Sequence, residues 1–342
     1  MNAKVKLLNG IKEALFSGKK VNVALNEAST LTGSGDGIGG RTQYDDAFAA
    51  LRYANPFRMG ARQIKTPNRS AVTFVAKTGN AIQQSGGANP WGYTFTADAG
   101  SPNTSTAIWQ LPTRNVSVQL PIRLAAFQDI NGLDTTLVDD LVMEFGLVEG
   151  YSMAQNNDQS GTTTTAYGGT SGLRGLDMYS SGSAAYGSSG TAITNGIHTI
   201  LTTSLAGVTV TYAKVVAMAN SLPAVYWAQP TTAWMVTPAL IQDLRNLKDT
   251  SGLPLFLEMG EPHESGAVGS IFGWPVIPNP YMSATFPMYL ASWEHFLTIA
   301  DVEDVSVQTY EQTAPGFVTL FAQKRLVSTV RDVFAGVRAS AA

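Results

Sequence analysis

Between the alternating runs VTFVA (72–76) and VSVQLPIR (116–123) lie about 40 residues dominated by Gly, Asn, Ser, Thr and Ala, with Trp91, Tyr93, Phe95 and Trp109 interspersed. Connections longer than about 12–15 residues without structure of their own are uncommon inside a compact domain. Two β-rich runs flanking such a stretch read most economically as one long projecting hairpin. Aromatic side chains on a projection have little of their own chain to pack on, which points to burial against another polypeptide.

The first 60 residues carry the same message. Leu7, Leu8, Ile11, Ala14 and Leu15 recur at helical spacing and predict a short amphipathic helix. STLTGSGDGIGG (29–40) is a flexible Gly/Ser-rich stretch, and RTQYDDAFAALRYANPF after it predicts a short helix ended by Asn55-Pro56. Together these describe an extended arm that needs a partner surface to become ordered. Gly35-x-Gly37-x-x-Gly40 formally matches a dinucleotide-binding fingerprint. That fingerprint needs a tight strand–turn–helix and an acidic residue after a second strand, neither of which this linker-like context supplies.

Charge narrows the partners. Only 14 % of the residues are charged, against about 25 % in ordinary soluble domains, and the net charge is −3. Two readings fit at this stage: a surface largely covered by neighbouring copies, since interface centres are depleted of charge, or a weakly charged monomer. No basic run is present to release counterions from phosphates, which argues against a nucleic-acid-binding module. The absence of Cys excludes disulfides and thiolate metal sites and suits a reducing cytosol. No secretion signal and no membrane-spanning run of 18 apolar residues is found.

The compact part begins with a long helix. From Asp134 to about Gln155, apolar residues fall at Leu137, Val138, Leu141, Val142, Phe145, Val148 and Tyr151, with Asp134, Asp139 and Asp140 near the N-terminal end where the helix dipole favours them. Gly146 and Gly150 interrupt it with weak helix formers. A second low-complexity stretch (156–190) follows. Beyond it TYAKVVAMANSL from Thr211 is helical, and AWMVTP (233–238) is a buried strand entering a helix with Thr237 as N-cap and Pro238 in its first turn. That helix carries Leu240, Ile241, Leu244 and Leu247 on one face and is expected to stop at Ser251-Gly252. IFGWPVIPNP (271–280) reads as a short strand interrupted by prolines. DVSVQTYEQ (304–312), Pro315-Gly316 and FVTLFAQKRL form a hairpin signal, and TVRDVFAGVRAS is β-like or irregular.

Candidate chemistry is thin. His198, His263 and His295 are widely separated, and His263-Glu264 lacks the second His of a helical zinc site. Asp139-Asp140 and Asp301/Glu303/Asp304 have the groups for acid–base work or cation binding, but adjacent residues on a helix point in different directions. No Gly-x-Ser-x-Gly elbow occurs, and the Asn68 and Asn103 glycosylation sequons mean nothing without a secretion signal. No catalytic, cofactor-binding or metal residue is therefore assigned, and no cofactor is expected.

WMVTPALIQDLRNLKDTSGLPLF, followed after a polar gap by IFGWPVIPNPYM, resembles the HK97-like major capsid proteins of tailed bacteriophages. The matching positions are Trp234, Leu247-Lys248-Asp249, Gly252 and Gly273-Trp274-Pro275-Val276. FAQKRLVSTVRDVFAGV near the end and the long helix followed by GGTSGLRGL extend the resemblance over about 45–340. It implies an α+β fold with an N-terminal arm (1–62), an extended E-loop β-hairpin (63–115), a peripheral domain holding a long spine helix (116–156 and 301–342) and an axial α/β domain (157–300). It also implies a non-enzymatic protein whose copies self-assemble as hexamers and pentamers into an icosahedral shell around double-stranded DNA, without sequence-specific binding and without a membrane. The expected setting is the virion capsid, assembled in the host cytoplasm. Expected partners are a separate scaffolding protein, or a scaffolding segment within the short N-terminus, since the arm begins close to Met1, together with a portal and a decoration or cement protein. A Lys–Asn crosslink between subunits would draw on Lys77 or Lys65, but no Asn or Glu is nominated. The rival readings are an encapsulin-type nanocompartment shell and a hydrolase built on the 190–340 region.

Overall fold

The computed structural model describes residues 9, 12–13, 21–22, 32–33, 50–51, 55–66, 70–77, 106–123, 133–158, 172–187, 196–205, 210–249, 251–258, 266–310 and 317–341. In chain order its elements are β1 (Val21–Asn22), β2 (Thr32–Gly33), β3 (Ala50–Leu51), α1 (Phe57–Gly60), β4 (Arg62–Lys65), β5 (Ala71–Lys77), β6 (Thr106–Pro112), β7 (Arg114–Arg123) and α2 (Leu133–Gln155). There follow β8 (Ser180–Gly182), β9 (Thr199–Ser204), α3 (Tyr212–Ser221), β10 (Thr232–Val236), α4 (Pro238–Asn246), β11 (Phe256–Glu258), β12 (Gly269–Ile271) and β13 (Trp274–Pro278). The last are β14 (Met288–Ser292), α5 (Trp293–Phe296), β15 (Leu297–Tyr310), β16 (Phe317–Val330) and β17 (Gly336–Ser340).

Two sheets organise these elements. The first is built on the antiparallel ribbon of β15 and β16, each 14 residues long. β7 lies along the free edge of β16 from Arg123↔Phe317 to Arg114↔Leu326, and β15 is flanked by β4 and β1. The second sheet has eight strands in the order β11-β12-β13-β10-β14-β17-β9-β8. Its centre is almost wholly apolar: every residue of β10 and β14 is buried, Thr232 and Ser292 being the polar ones, as expected for strands covered on both faces. The expected ribbon hairpin is present, its strand beginning at Leu297 rather than near Asp304; the Pro315-Gly316 turn lies outside the described residues.

The projecting hairpin is paired differently from expectation. β5 pairs with β6, from Ala71↔Pro112 to Lys77↔Thr106, and not with 116–123. Only Thr113 separates β6 from β7, and its amide bonds to Ser70 O at the hairpin base. The chain therefore leaves the hairpin and joins the ribbon within one residue, too short a break to read in sequence. Val72, Phe74, Trp109 and Leu111 form the inner face of the hairpin and pack with Ala300, Val302 and Val327 of the ribbon. Trp91, Tyr93 and Phe95 lie outside the described residues.

Other local expectations are corrected by tertiary context. The helix expected to end at Asn55-Pro56 lies mostly outside the described residues; of those described, 50–51 are strand, and Pro56, with φ −64, opens α1 rather than ending a helix. Proline lacks the N–H that a first helical turn leaves unsatisfied anyway, and Asn55 Oδ1 accepts from Phe57 N at 3.1 Å. The helix expected near Leu7–Leu15 lies almost wholly outside the described residues. α4 ends at Asn246 because Asp249 Oδ1 accepts from the amides of Ser251 and Leu253, which turns the chain. Thr237 holds the N-cap position with Pro238 behind it, although its side chain makes no capping bond. Residues 271–280 are half of a hairpin: β12 and β13 are joined by Phe272 and Gly273, both at positive φ, the geometry of a two-residue turn. Within the low-complexity stretch, Leu173, Arg174, Leu176 and Tyr179 are buried. β17 joins the second sheet between β14 and β9 although the ribbon immediately precedes it.

The 23-residue α2 has the expected length, about 35 Å. Of its expected stripe, the side chains of Leu137, Val138, Leu141 and Val142 lie outside the description, Phe145 is buried and Val148 packs on the core, and Tyr151 departs. Met143, Phe145, Glu149, Met153 and Ala154 face inward, whereas Tyr151 is 52 % exposed. Gly150 explains the choice, since a Cβ there would sit 2.7 Å from the Tyr281 ring. The helix can approach the second sheet only where it has no side chain. Gly146 has no such constraint, its nearest neighbour being Asn55 N at 3.8 Å. Gly146→Ala should therefore stabilise the protein by about 0.5–1 kcal/mol, while Gly150→Ala should destabilise it by about 1–3 kcal/mol. Chemical denaturation of the two variants, read against the parent, checks the opposite signs.

Candidate functional site

Four charged residues meet where α1, α2 and the ribbon converge. Arg58 grips the Asp301 carboxylate with both terminal nitrogens, Nη1–Oδ2 3.0 Å and Nη2–Oδ1 2.8 Å, and pairs through Nε with Glu149 Oε1. Lys324 Nζ closes the ring at 3.3 Å from Asp301 Oδ1 and 3.5 Å from Glu149 Oε2. Asn55 Nδ2 donates to Glu149 Oε1 at 3.0 Å. All four charged side chains are largely withdrawn from water. Burial alone would lower the Arg58 guanidinium, but Glu149 and Asp301 outweigh it and hold it above its ordinary value. Burial alone would raise Asp301, yet Arg58 and Lys324 leave it below its ordinary 3.8.

A second constellation sits under the hairpin. The Trp109 indole, 1 % exposed, donates from Nε1 to Thr329 Oγ1 at 3.2 Å. Phe74 stacks on it, and His198 meets it edge-on with ring centroids 4.6 Å apart. Gly196 closes round the indole with φ +69, where a Cβ would lie 2.5 Å from the ring. His198 is fully buried between Trp109, Tyr179 and Tyr186. Its Nδ1 accepts from Gly187 N at 3.1 Å, which places the proton of the neutral ring on Nε2, where no hydrogen-bond partner is found. Burial, assisted by the Arg174 cation, pushes the imidazole down to about 3. Beside it Arg174 pairs with Asp158 at 3.0 Å, both side chains buried.

The third feature is Arg338 of β17, wholly buried. Its guanidinium donates to Leu176 O (3.1 Å), Tyr179 O (2.6 Å), Ser181 Oγ (2.9 Å) and, from Nε, Thr202 Oγ1 (3.1 Å). The Phe286 ring stacks 3.8 Å away.

None of this is a reaction centre. His198 is sealed in a core, His263 lies outside the described residues, and His295 Nδ1 contacts Ser292 Oγ at 3.1 Å within one turn. Ser292 is fully buried, so its hydroxyl offers nothing to a substrate. Among the described side chains Asp301 belongs to the ion ring, and a register shift separates it from Glu303; the Asp304 side chain lies outside the description. Asp139 and Asp140 lie on α2, and the side chains of both fall outside the description. No group of three His, Asp or Glu able to hold a metal occurs among the described residues, and no described helix is long and apolar enough to cross a membrane. Gly35, Gly37 and Gly40 are outside the described residues. Lys65 ends β4, exposed, and Lys77 ends β5. Sequence reasoning missed Arg58, Glu149, Lys324, Arg174 and Arg338; their only signal was charge in apolar surroundings.

Besides Met59 on α1 and Tyr151 on α2, large exposed apolar side chains among the described residues occur on the hairpin and on the second-sheet side. Val75 and Ile108 are cross-strand partners on the outer face of the hairpin, each about half exposed. Val225, Trp227, Leu253, Leu257 and Phe272 are exposed on the second-sheet side, with Trp227 against Trp274 at 6.3 Å. Large exposed apolar groups in neighbouring positions mark association surfaces more often than accidents.

The family model described as the phage capsid family matches residues 41–335. Among solved structures, the chain is similar to the capsid of an empty GTA particle, with 16 % identity, a TM-score of 0.63 and coverage of 85 % of this chain and 91 % of that one. It is similar to the capsid of the native GTA particle at 15 % identity, TM-score 0.64 and the same coverages. A chain of Microbacterium phage Oxtober96 aligns at 14 % identity and TM-score 0.53, covering 88 % of this chain and 95 % of that one. No curated protein matches the sequence. These likenesses identify the fold as the HK97-like capsid fold.

Two outcomes are expected. Removing one member of the ion ring strands the others, so Glu149→Ala should cost about 3–5 kcal/mol, whereas Arg245→Ala, which breaks the exposed pair with Glu258, should cost under about 1 kcal/mol; urea denaturation compares them. His198 resists protonation when folded and accepts it at an ordinary 6.5 when unfolded. The unfolded state therefore binds more protons, and stability falls as pH drops from 6.5 towards 3. Asp301, held below 3.8, adds its loss only at lower pH. His198→Asn, which keeps an acceptor for Gly187 N, should flatten the slope between pH 6.5 and 4; denaturation midpoints across that range show it.

Proposed function

Since the chain belongs to the phage capsid family, we infer that it is a major capsid protein whose copies associate as hexamers and pentamers into an icosahedral shell enclosing double-stranded DNA. The observation that carries this reading is the family match across residues 41–335. The exposed apolar groups on the hairpin and on the second-sheet side agree with it, because a shell subunit needs separate faces for separate neighbours. Interface centres are depleted of charge, in keeping with a chain only 14 % charged.

In this reading the protein is structural, and its place is the virion capsid. We assign residues 1–62 to an arm, 63–115 to an E-loop, 116–156 and 301–335 to a peripheral domain, and 157–300 to an axial domain. The arm and the E-loop rest on their own ribbon through β1, α1, β4 and the inner face of the hairpin, and reach neighbouring subunits with their outer parts. Strand β17 goes with the axial domain because β9 and β14 are its partners. A scaffolding protein, a portal and a decoration protein are the further partners the reading expects, with assembly in the host cytoplasm. DNA is enclosed rather than read: no basic run tracks its phosphates. Electron microscopy of the purified protein tests the assignment. Closed shells or free hexamers and pentamers are expected, and a monomer under every assembly condition tried would refute it.

A further inference from the structure

The hairpin and the eight-stranded sheet share no strand pairing, yet one segment touches both. Residues 196–198 wrap the Trp109 indole through Gly196 and His198, and β9 begins at the very next residue, Thr199. Tyr179 continues the contact: its ring lies 6.2 Å from that of His198, its hydroxyl accepts from Val330 N at 2.9 Å and lies 3.4 Å from Thr329 Oγ1, the acceptor of the indole proton. The carbonyl of the same Tyr179 holds the Arg338 guanidinium at 2.6 Å. Arg338 belongs to β17, the strand that joins β9 and β8 to the other five strands of the sheet.

We propose that the seat of Trp109 is a mechanical coupling between the β5–β6 hairpin and the eight-stranded sheet. With the indole in place, residues 172–187 and 196–204 are fixed against the ribbon, and the carbonyls of Leu176 and Tyr179 are held in position for Arg338. When it withdraws, Thr329 Oγ1 loses its donor, Gly196 and His198 lose the surface they are folded around, and the clamp on β17 loosens. Force or contact applied to the hairpin therefore reaches β17, β9 and β8, at one side of the sheet, through a buried aromatic rather than through strand pairing. In a shell, a neighbour gripping the hairpin would tune the sheet of the subunit that owns it; that consequence rests on the capsid reading, while the coupling itself belongs to the single subunit.

Hydrogen exchange of the full chain, as unassembled subunit, tests the coupling independently of any shell. Trp109→Ala should speed exchange at least about tenfold in β8, β9 and β17 while β10 and β13 keep their protection. Val75→Ala, which loosens the hairpin on its outer face, opposite the seat, should affect β5 and β6 alone. Should Trp109→Ala not fold, a double-mutant cycle between Trp109→Phe and Arg338→Lys replaces it, with a non-additivity of at least about threefold in the unfolding constant expected for coupled groups. Exchange changes confined to the hairpin and β16, or additive effects in the cycle, would overturn the proposal.

Discussion

Arg58, Asp301, Lys324 and Glu149 alternate in sign around a closed ring, and the rest of the architecture is positioned from it. Each ion has two opposite neighbours, so the cost of leaving water is offset on both sides and no charge is left facing only apolar groups. Its members come from four stretches of chain: the entry to α1, the long helix, and both strands of the ribbon. The ring therefore sets the distance and the angle of α2 against the ribbon. Once that angle is set, Gly150 meets Tyr281, the helix end reaches the second sheet, and the hairpin base is held beside Asp301 through β4.

The second sheet is held by a different logic. Its centre is a block of apolar strands that would form around any comparable sequence, but β17 and its single arginine decide how that block is joined to β8 and β9. A buried guanidinium satisfied by carbonyls and hydroxyls rather than by a carboxylate is directional: each N–H needs its acceptor at a defined place. Arg338 thus specifies the path of residues 176–181 more narrowly than packing alone would.

What could be read in the sequence was what depends on neighbours in sequence. The length of α2, the strand–Thr237–Pro238–helix passage and the long ribbon hairpin all follow from local periodicity, caps and turns, and the structure has them. The partner of β5 could not be read, because β6 is embedded in a Gly/Asn-rich stretch and is separated from β7 by Thr113 alone. The buried side of α2 was misplaced at Tyr151 because a ring 130 residues away selects the glycine face instead. The ion ring was invisible for the same reason: Arg58 and Asp301 are 243 positions apart, and charge in a sequence carries no mark of its partner. Leu173, Arg174, Leu176 and Tyr179 were hidden by the low complexity around them, which describes average composition and not the few anchors that fold.

The ribbon has one further property. A 14-residue strand with a bare edge is a template on which other copies can add strands without limit. β15 does not present one: β4 occupies its outer edge at 298–301 in parallel, β1 occupies it at 306–307 antiparallel, and two register shifts of the ribbon fall between them. At the opposite side the outermost strand is β7, which carries an exposed proline, Pro121, unable to donate to an incoming ladder. For a protein whose copies gather in a shell, the ribbon is thereby withheld from edge-to-edge strand addition, and its contribution to recognition between copies falls to its side-chain faces.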